Sequence, residues 1–234
     1  MAGHAAPNIV EDGLVFSVDP INPRSWTGPN SSTVNNLSSN STGSIFNDTS
    51  GSYGDNNSFA FDGTDDYIDC GSNNIVTGIF SISVWMKRSL SGGDSSPFLV
   101  GKDDVGSNRT FACYLNKGSG YFQFFISNTG AFISTKRVLT VNTITDENWH
   151  NLVFINEGSS GNMLIYIDSN LAELSVQRSG LDTLHSSTIS TRIGDSGTNS
   201  HSFSGNLSNI SFYNKALSSQ EVKQNYNALK SRFT

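Results

Sequence analysis

"FSISVWMK", residues Phe80–Lys87, decides the fold class. Phe80, Ile82, Val84 and Met86 fall on one side of a period-2 repeat, with Ser81, Ser83, Trp85 and Lys87 on the other. In a strand alternate side chains share a face, so the four apolar residues make one wall. A helix would scatter them around its circumference. Further strand-like runs are "GLVFSVD" (13–19), "GYFQFFIS" (120–127), "AFISTKRVL" (131–139), "NWHNLVFIN" (148–156), "NMLIYIDSN" (162–170), "TRIGDSG" (191–197) and "LSNISFYN" (207–214). Two connections, "NTG" with Gly130 free to take positive φ, and "EGSSG", read as hairpins. Short strands, Gly/Asn/Ser turns and no helices between them predict antiparallel pairing in an all-β sandwich or barrel.

The chain has 234 residues, a length that suits one large all-β domain and can bury a proper core. Charged residues are 15%, below the usual quarter or so, and Ser, Asn and Thr fill the gap. The formal net charge of −6 offers no basic track for nucleic acid and no polybasic membrane patch. No run approaches the ~20 apolar residues of a membrane span. The start "MAGHAAPNIVEDG" lacks the charged and apolar pattern of a secretory signal, so the sequons at Asn36 and Asn40 read as unused. Cys70 and Cys113 lack CxxC spacing, which excludes a zinc ribbon; a single bridge is compatible with the count, and two buried free thiols on strands are the expected state.

The expected organisation is an N-terminal arm over residues 1–12, then a single domain over 13–234. A long polar excursion over 20–58 is expected to wrap the sandwich between its first strand and the Phe59 strand. One helix is expected, in "ALSSQEVKQNYNALKSRF" (216–233). Ser218 and Glu221 have the spacing of a capping box, and Leu217 and Val222 that of a hydrophobic staple. Val222, Tyr226 and Leu229 form an i, i+4, i+7 stripe that should lay the helix on the sandwich.

"FAFDGTDDYIDCG" (59–71) packs Asp62, Asp65, Asp66 and Asp69 between apolar runs. Asp-Gly is a strong turn signal, so the segment reads as a solvated hairpin joining "FAF" to "YID". A calcium ion, which takes six to eight oxygens, is the competing use of Asp62, Asp65 and Asp66.

The order "SFAFDGTDDYIDCG", "FSISVWMK", "ENWHNLVF", "LIYIDSNL", "TRIGDSG" and "FSGNLSNISFYNKALSSQEVKQNYNA" resembles the laminin-G-like, concanavalin A-like lectin/glucanase family over nearly the whole chain. The opening "GLVFSVDPINPRSW" and the ending are most like the branch found in bacteriophage virion structural proteins. The resemblance implies a two-sheet antiparallel jelly roll with one concave and one convex sheet, and loops on the concave side that bind glycans in some members. In calcium-binding relatives acids of the last strand complete the site; Ser208 and Asn209 stand there in this chain. The glucanase members carry acids on alternate positions of one strand. The five glutamates here, Glu11, Glu147, Glu157, Glu173 and Glu221, have no acid two positions away. His4, His150, His185 and His201 fall in no catalytic motif.

No catalytic residue, cofactor site or metal site is therefore assigned. The expected function is a non-enzymatic structural protein of a bacteriophage particle, a decoration or appendage subunit located in the virion. Its partners would be capsid or tail proteins or further copies of itself, with no nucleic acid and no membrane. The alternative is a glycan-binding module for host-surface attachment, with a glycoside hydrolase last. For glycan binding, Trp26, Tyr53, Tyr121 and Phe132 are the candidates, because apolar sugar faces pack on flat rings.

Overall fold

The computed structural model describes residues 8–28, 31–38, 44–47, 58–158, 161–178, 183–198 and 200–233. Its strands are β1 (Leu14–Val18), β2 (Thr33–Val34), β3 (Ser44–Asn47), β4 (Phe59–Asp62), β5 (Tyr67–Asp69), β6 (Phe80–Arg88), β7 (Phe98–Lys102), β8 (Phe111–Leu115), β9 (Phe122–Ser127), β10 (Thr135–Thr140), β11 (Trp149–Asn156), β12 (Met163–Ile167), β13 (Asn170–Leu171), β14 (Leu174–Arg178), β15 (Arg192–Ile193) and β16 (Ser204–Tyr213). Among the described residues there is one α-helix, α1 (Ser219–Leu229), followed by a 3-10 turn (Lys230–Arg232). Every pairing is antiparallel. A seven-stranded sheet runs β1-β16-β6-β11-β12-β13, with β4 also on β16; a nine-stranded sheet runs β14-β10-β9-β8-β7-β15-β5-β3-β2. The architecture is thus the all-β jelly-roll sandwich expected from the alternation.

The wall formed by Phe80, Ile82, Val84 and Met86 is fully buried between the sheets. Phe16 and Phe212, Phe59 and Trp26, and Phe124 and Phe154 meet edge-on or tilted there, arrangements that suit the ring quadrupoles. The opposite face of β6 is buried too. Ser81 Oγ donates to the Lys215 carbonyl and accepts from the Leu217 N–H. Trp85 stacks on Tyr226 at 5.5 Å and on Phe233 at 4.3 Å. A second apolar cluster, with Val153, Ile155, Tyr213, Leu217 and Val222, lies between this sheet and α1. The helix starts as read: Ser218 accepts from the Glu221 N–H while the Glu221 carboxylate accepts from the Ser218 N–H. Val10 of the N-terminal arm joins the cluster, its N–H donating to Asn225 Oδ1 at 2.7 Å.

Three readings need correction. "FAF" and "YID" are not a hairpin: β4 pairs with β16 in one sheet and β5 with β15 and β3 in the other, so "DGTDD" is a corner between sheets. It is not solvated throughout either, since Asp66 is 1% exposed. The expected strand over 191–197 shrinks to Arg192–Ile193. The chain turns at Gly194 (φ +89°), where a Cβ would lie 2.2 Å from the Phe61 ring. The third concerns strands unseen in the sequence, β7, β8 and β14. "FLVGK" is a continuous apolar run whose alternation is broken by a bulge between Phe98 and Val100.

The 20–58 excursion contributes β2, β3 and the buried Trp26. Both cysteines are free. Cys113 is a buried strand residue as expected, whereas Cys70 is half-buried just past β5. Among the described residues no helix is long and apolar enough to cross a membrane.

Removing the indole between the sheet and α1 should loosen the helix. Trp85→Ala is expected to cost about 3–5 kcal/mol, and Ser218→Ala about 1 kcal/mol. Urea midpoints at unchanged m-value measure both. A Trp85→Ala loss no larger than that of the cap would show that α1 is not a structural layer.

Candidate functional site

α1 covers part of the seven-stranded sheet, while the outer face of the nine-stranded sheet carries a cluster of aromatic side chains. The bulge in β7 turns Leu99 and Val100 into the core and leaves Phe98 outward. Cross-strand register then sets two rows on that outer face, Phe98–Tyr114–Gln123–Leu139 and Gly101–Ala112–Phe125–Arg137. Gly101 is required by packing: the Phe98 ring leans across it, and a Cβ there would meet the ring at 2.7 Å. Phe98 stacks on Tyr114 at 5.6 Å and 13°, Tyr114 meets Phe125 edge-on, and Phe125 meets Phe132 edge-on at 6.1 Å.

Phe132 rises from a 3-10 turn (Phe132–Ser134) and is 38% exposed. The Arg109 and Arg137 guanidinium carbons lie 5.2 and 5.1 Å from its ring centroid. Arg109 is fixed from beneath, donating to both oxygens of the fully buried Asp103 at 3.0 and 3.3 Å and to the Val105 carbonyl. Val105 has φ +61°, a conformation costly for a β-branched residue; its N–H, 2.5 Å from Asp103 Oδ1, holds it there. His201 closes the other side, edge-on to Phe98 at 5.0 Å. Phe98, Arg109, Tyr114, Phe125, Phe132 and His201, with Ser96 and Val105, line a depression of about 230 Å³ whose lining contains no Asp or Glu, and Arg137 stands beside it against Phe132. Burial pushes the Tyr114 hydroxyl up to about 12, with Arg137 the strongest opposing charge. Burial also raises Asp103, against the pull of Arg109. The depression can stack a ring and donate hydrogen bonds, and its lining holds no pair of carboxylates.

Of the sugar-stacking candidates, only Phe132 reaches this depression. Trp26 is a core residue whose Nε1 donates to the Ser31 carbonyl. Tyr121 is half-buried just before β9 and does not line the depression. Tyr53 lies outside the described residues. The sequence reading missed Phe98, Tyr114, Phe125, Arg109, Arg137 and His201. The available signal was Phe125, an aromatic at the solvent-facing parity of "FQFFIS", where a polar residue is usual.

A model of the concanavalin A-like lectin/glucanases superfamily matches residues 62–223. The chain belongs to that superfamily. Solved structures of similar fold include a botulinum neurotoxin type G receptor-binding domain, 14% identical with TM-score 0.64 over 92% of this chain and 51% of that one. Domain 4 of a GH43 extracellular arabinanase from Geobacillus stearothermophilus, in complex with arabinotriose, is 15% identical with TM-score 0.61 over 93% and 100%. Trypanosoma rangeli sialidase is 12% identical with TM-score 0.65 over 100% and 37%. The chain spans about half the length of the toxin domain and little more than a third of the sialidase. No curated protein matches the sequence.

The superfamily includes calcium-binding members, so the acidic corner was tested for one. One ligand oxygen each from Asp62, Asp65 and Asp66 converges within 4.8 Å. They supply three of the six to eight oxygens calcium takes. Hydrogen bonds account for two of them without an ion: Asp66 Oδ2 accepts from the Asp62 N–H at 2.8 Å and Asp62 Oδ1 from the Thr64 N–H at 2.7 Å. Ser208 and Asn209 are not the last-strand neighbours of this corner. Asp62 pairs with Ser204, which places Ser208 four residues further along β16, roughly 13 Å. The donor set present does not complete a calcium site.

His150 bridges two acids, Nδ1 to Asp168 Oδ2 at 2.7 Å and Nε2 to Asp146 Oδ1 at 3.2 Å. With both ring nitrogens facing carboxylates it ties β11 to the β12–β13 turn. A larger cavity of about 600 Å³ opens between β1, the 19–38 loop and α1. Its Asp19 is neutralised by a two-pronged pair with Arg232, and no aromatic lines it. It offers nothing for a sugar ring to stack on.

Two outcomes follow from the acidic groups. Melting temperature should be equal in EDTA and in calcium, because hydrogen bonds already organise the Asp62–Asp66 corner; a drop in EDTA restored by calcium would refute this. The bond to Asp168 chiefly raises the His150 pKa above its ordinary 6.5, against burial. Its stabilisation is therefore complete below about pH 6.5 and lost as pH rises through the folded-state value. The melting-temperature gap between wild type and His150→Gln should be widest near about pH 5.5 and shrink by about pH 8.5. A gap constant with pH would mean that the imidazolium contributes nothing.

Proposed function

We propose that the chain is a non-catalytic carbohydrate-binding module whose ligand lies in the depression beneath Phe132. The observation that carries this is a single exposed ring standing at the mouth of a polar-rimmed hollow floored by stacked Phe98 and Tyr114. A sugar's apolar face would lie on Phe132, and the arginines and His201 would meet its oxygens. At about 230 Å³ the hollow is smaller than the roughly 300–1,000 Å³ of pockets for drug-sized ligands, and suits one sugar residue of a longer chain. Support comes from the superfamily and from the arabinanase domain, whose structure contains arabinotriose. Hydrolysis would need two carboxylates flanking the bond, and the lining has none.

A subunit of a bacteriophage particle is the second reading. The ends of the chain that suggest it are built into the fold: β1 pairs with β16, and α1 covers the seven-stranded sheet. What favours an assembly contact is Ile133, 78% exposed beside Phe132, an apolar knob of the kind protein interfaces bury. The two readings are compatible, since a particle-borne module can bind host glycans.

A glycan array followed by calorimetry on the best binder tests the proposal. Phe132→Ala should weaken binding at least roughly 3- to 10-fold, the loss expected for about 0.5–1.5 kcal/mol of ring stacking. Ile133→Asp should leave glycan binding intact. Binding that survives Phe132→Ala places the ligand elsewhere. Loss of self-association or particle incorporation with Ile133→Asp, without any glycan binding by wild type, would favour the assembly reading.

A further inference from the structure

Arg137 is unlike the other arginines near the hollow. Arg109 is neutralised by Asp103, and Arg192 donates to the Ser196 carbonyl while lying over Tyr67. Among the described residues no carboxylate, carbonyl or hydroxyl takes an N–H of Arg137. Its Nε is sealed from solvent without an acceptor, as are those of Arg88, Arg109, Arg192 and Arg232, but those four each have an acceptor at an Nη and Arg137 has none among the described residues. Its one structural contact is the Phe132 ring at 5.1 Å, which attenuates charge but supplies no oxygen to the N–H fork. The carboxylates beneath this face cannot serve it: Asp103 is committed to Arg109, and Asp195, also fully buried, accepts from the Ser196 and His201 N–H groups. Beside the hollow of a protein with net charge −6 thus stands a cation that no oxygen among the described residues pairs. Arg137 is also the leading charge acting on the Tyr114 hydroxyl in the floor.

A planar guanidinium with a free fork matches a planar carboxylate bidentately, better than it matches a neutral hydroxyl. We propose that the hollow selects acidic sugars, with the sugar ring on Phe132 and its carboxylate on the Arg137 fork. This rests on the carbohydrate reading above and narrows it to uronic or other carboxylated sugar units. Arg109, already paired with Asp103, sets the far wall and takes no part in anion capture.

Calorimetry with matched pairs tests it: trigalacturonate against galactotriose of the same linkage, sialyl-lactose against lactose, and dextran sulfate against dextran. The wild type should bind the carboxylated member of at least one pair ten-fold or more tighter than its neutral partner. Arg137→Gln should abolish the difference between the two members of that pair. Arg137→Lys should recover only part of the preference, because it restores charge without the fork. Phe132→Ala should weaken both members. If neutral sugars bind as tightly as acidic ones and still depend on Phe132, the carbohydrate reading stands and acid selection fails. A preference confined to the sulfated member, or one that survives Arg137→Gln, also overturns it. Failure of every glycan to bind overturns both readings together. The wild-type preference within each pair decides the matter even where a substitution compromises folding.

Discussion

Burial of both faces of β6 is the constraint on which the rest of the structure depends. Its even-numbered side chains make the core wall, and its odd-numbered ones would leave an indole and two serines facing water. The C-terminal segment resolves this. Ser81 becomes a hydrogen-bonding peg for the chain entering α1, and Trp85 is stacked against Tyr226 and Phe233. That layer covers the part of the seven-stranded sheet around Val153, Ile155, Tyr166 and Tyr213.

The nine-stranded sheet carries its own small outer cluster. One extra residue in β7 re-aims Phe98 outward, and Gly101 leaves room for its ring. Around it the chain holds a costly conformation at Val105, kept by a buried carboxylate that also anchors Arg109. Such a clamp orders the wall of the hollow before any ligand arrives, so little conformational entropy is lost on binding. The arrangement differs from the acidic corner at Asp62–Asp66. There the polar groups satisfy one another and the chain passes from one sheet to the other.

The residues 62–223 that match the superfamily include those of the candidate site. The 62–223 match runs through strands that build the sandwich, and very distant structures share them. Fold likeness at such identity carries no ligand with it. Loops and register bring Phe132 against Arg137 and His201 against Phe98, and any specificity must come from such side chains.

The sequence by itself determined whatever depends on local periodicity. Alternation in Phe80–Lys87 made strands and a core face, and the Ser218–Glu221 spacing started a helix with Val222 inward. Gly130 takes the positive φ its turn signal implied. These follow from side-chain parity and short-range hydrogen bonds, which the chain carries wherever it folds. Tertiary structure alone decided which sheet each strand joined, and so turned "DGTDD" from a hairpin into a corner with a buried aspartate. It also decided the site. Phe98, Tyr114, Phe125, Phe132 and His201 are up to a hundred residues apart, and only cross-strand register and a bulge bring their rings together. A bulge shifts parity without changing composition, so alternation read along one strand cannot reveal which face its neighbour's aromatic will share.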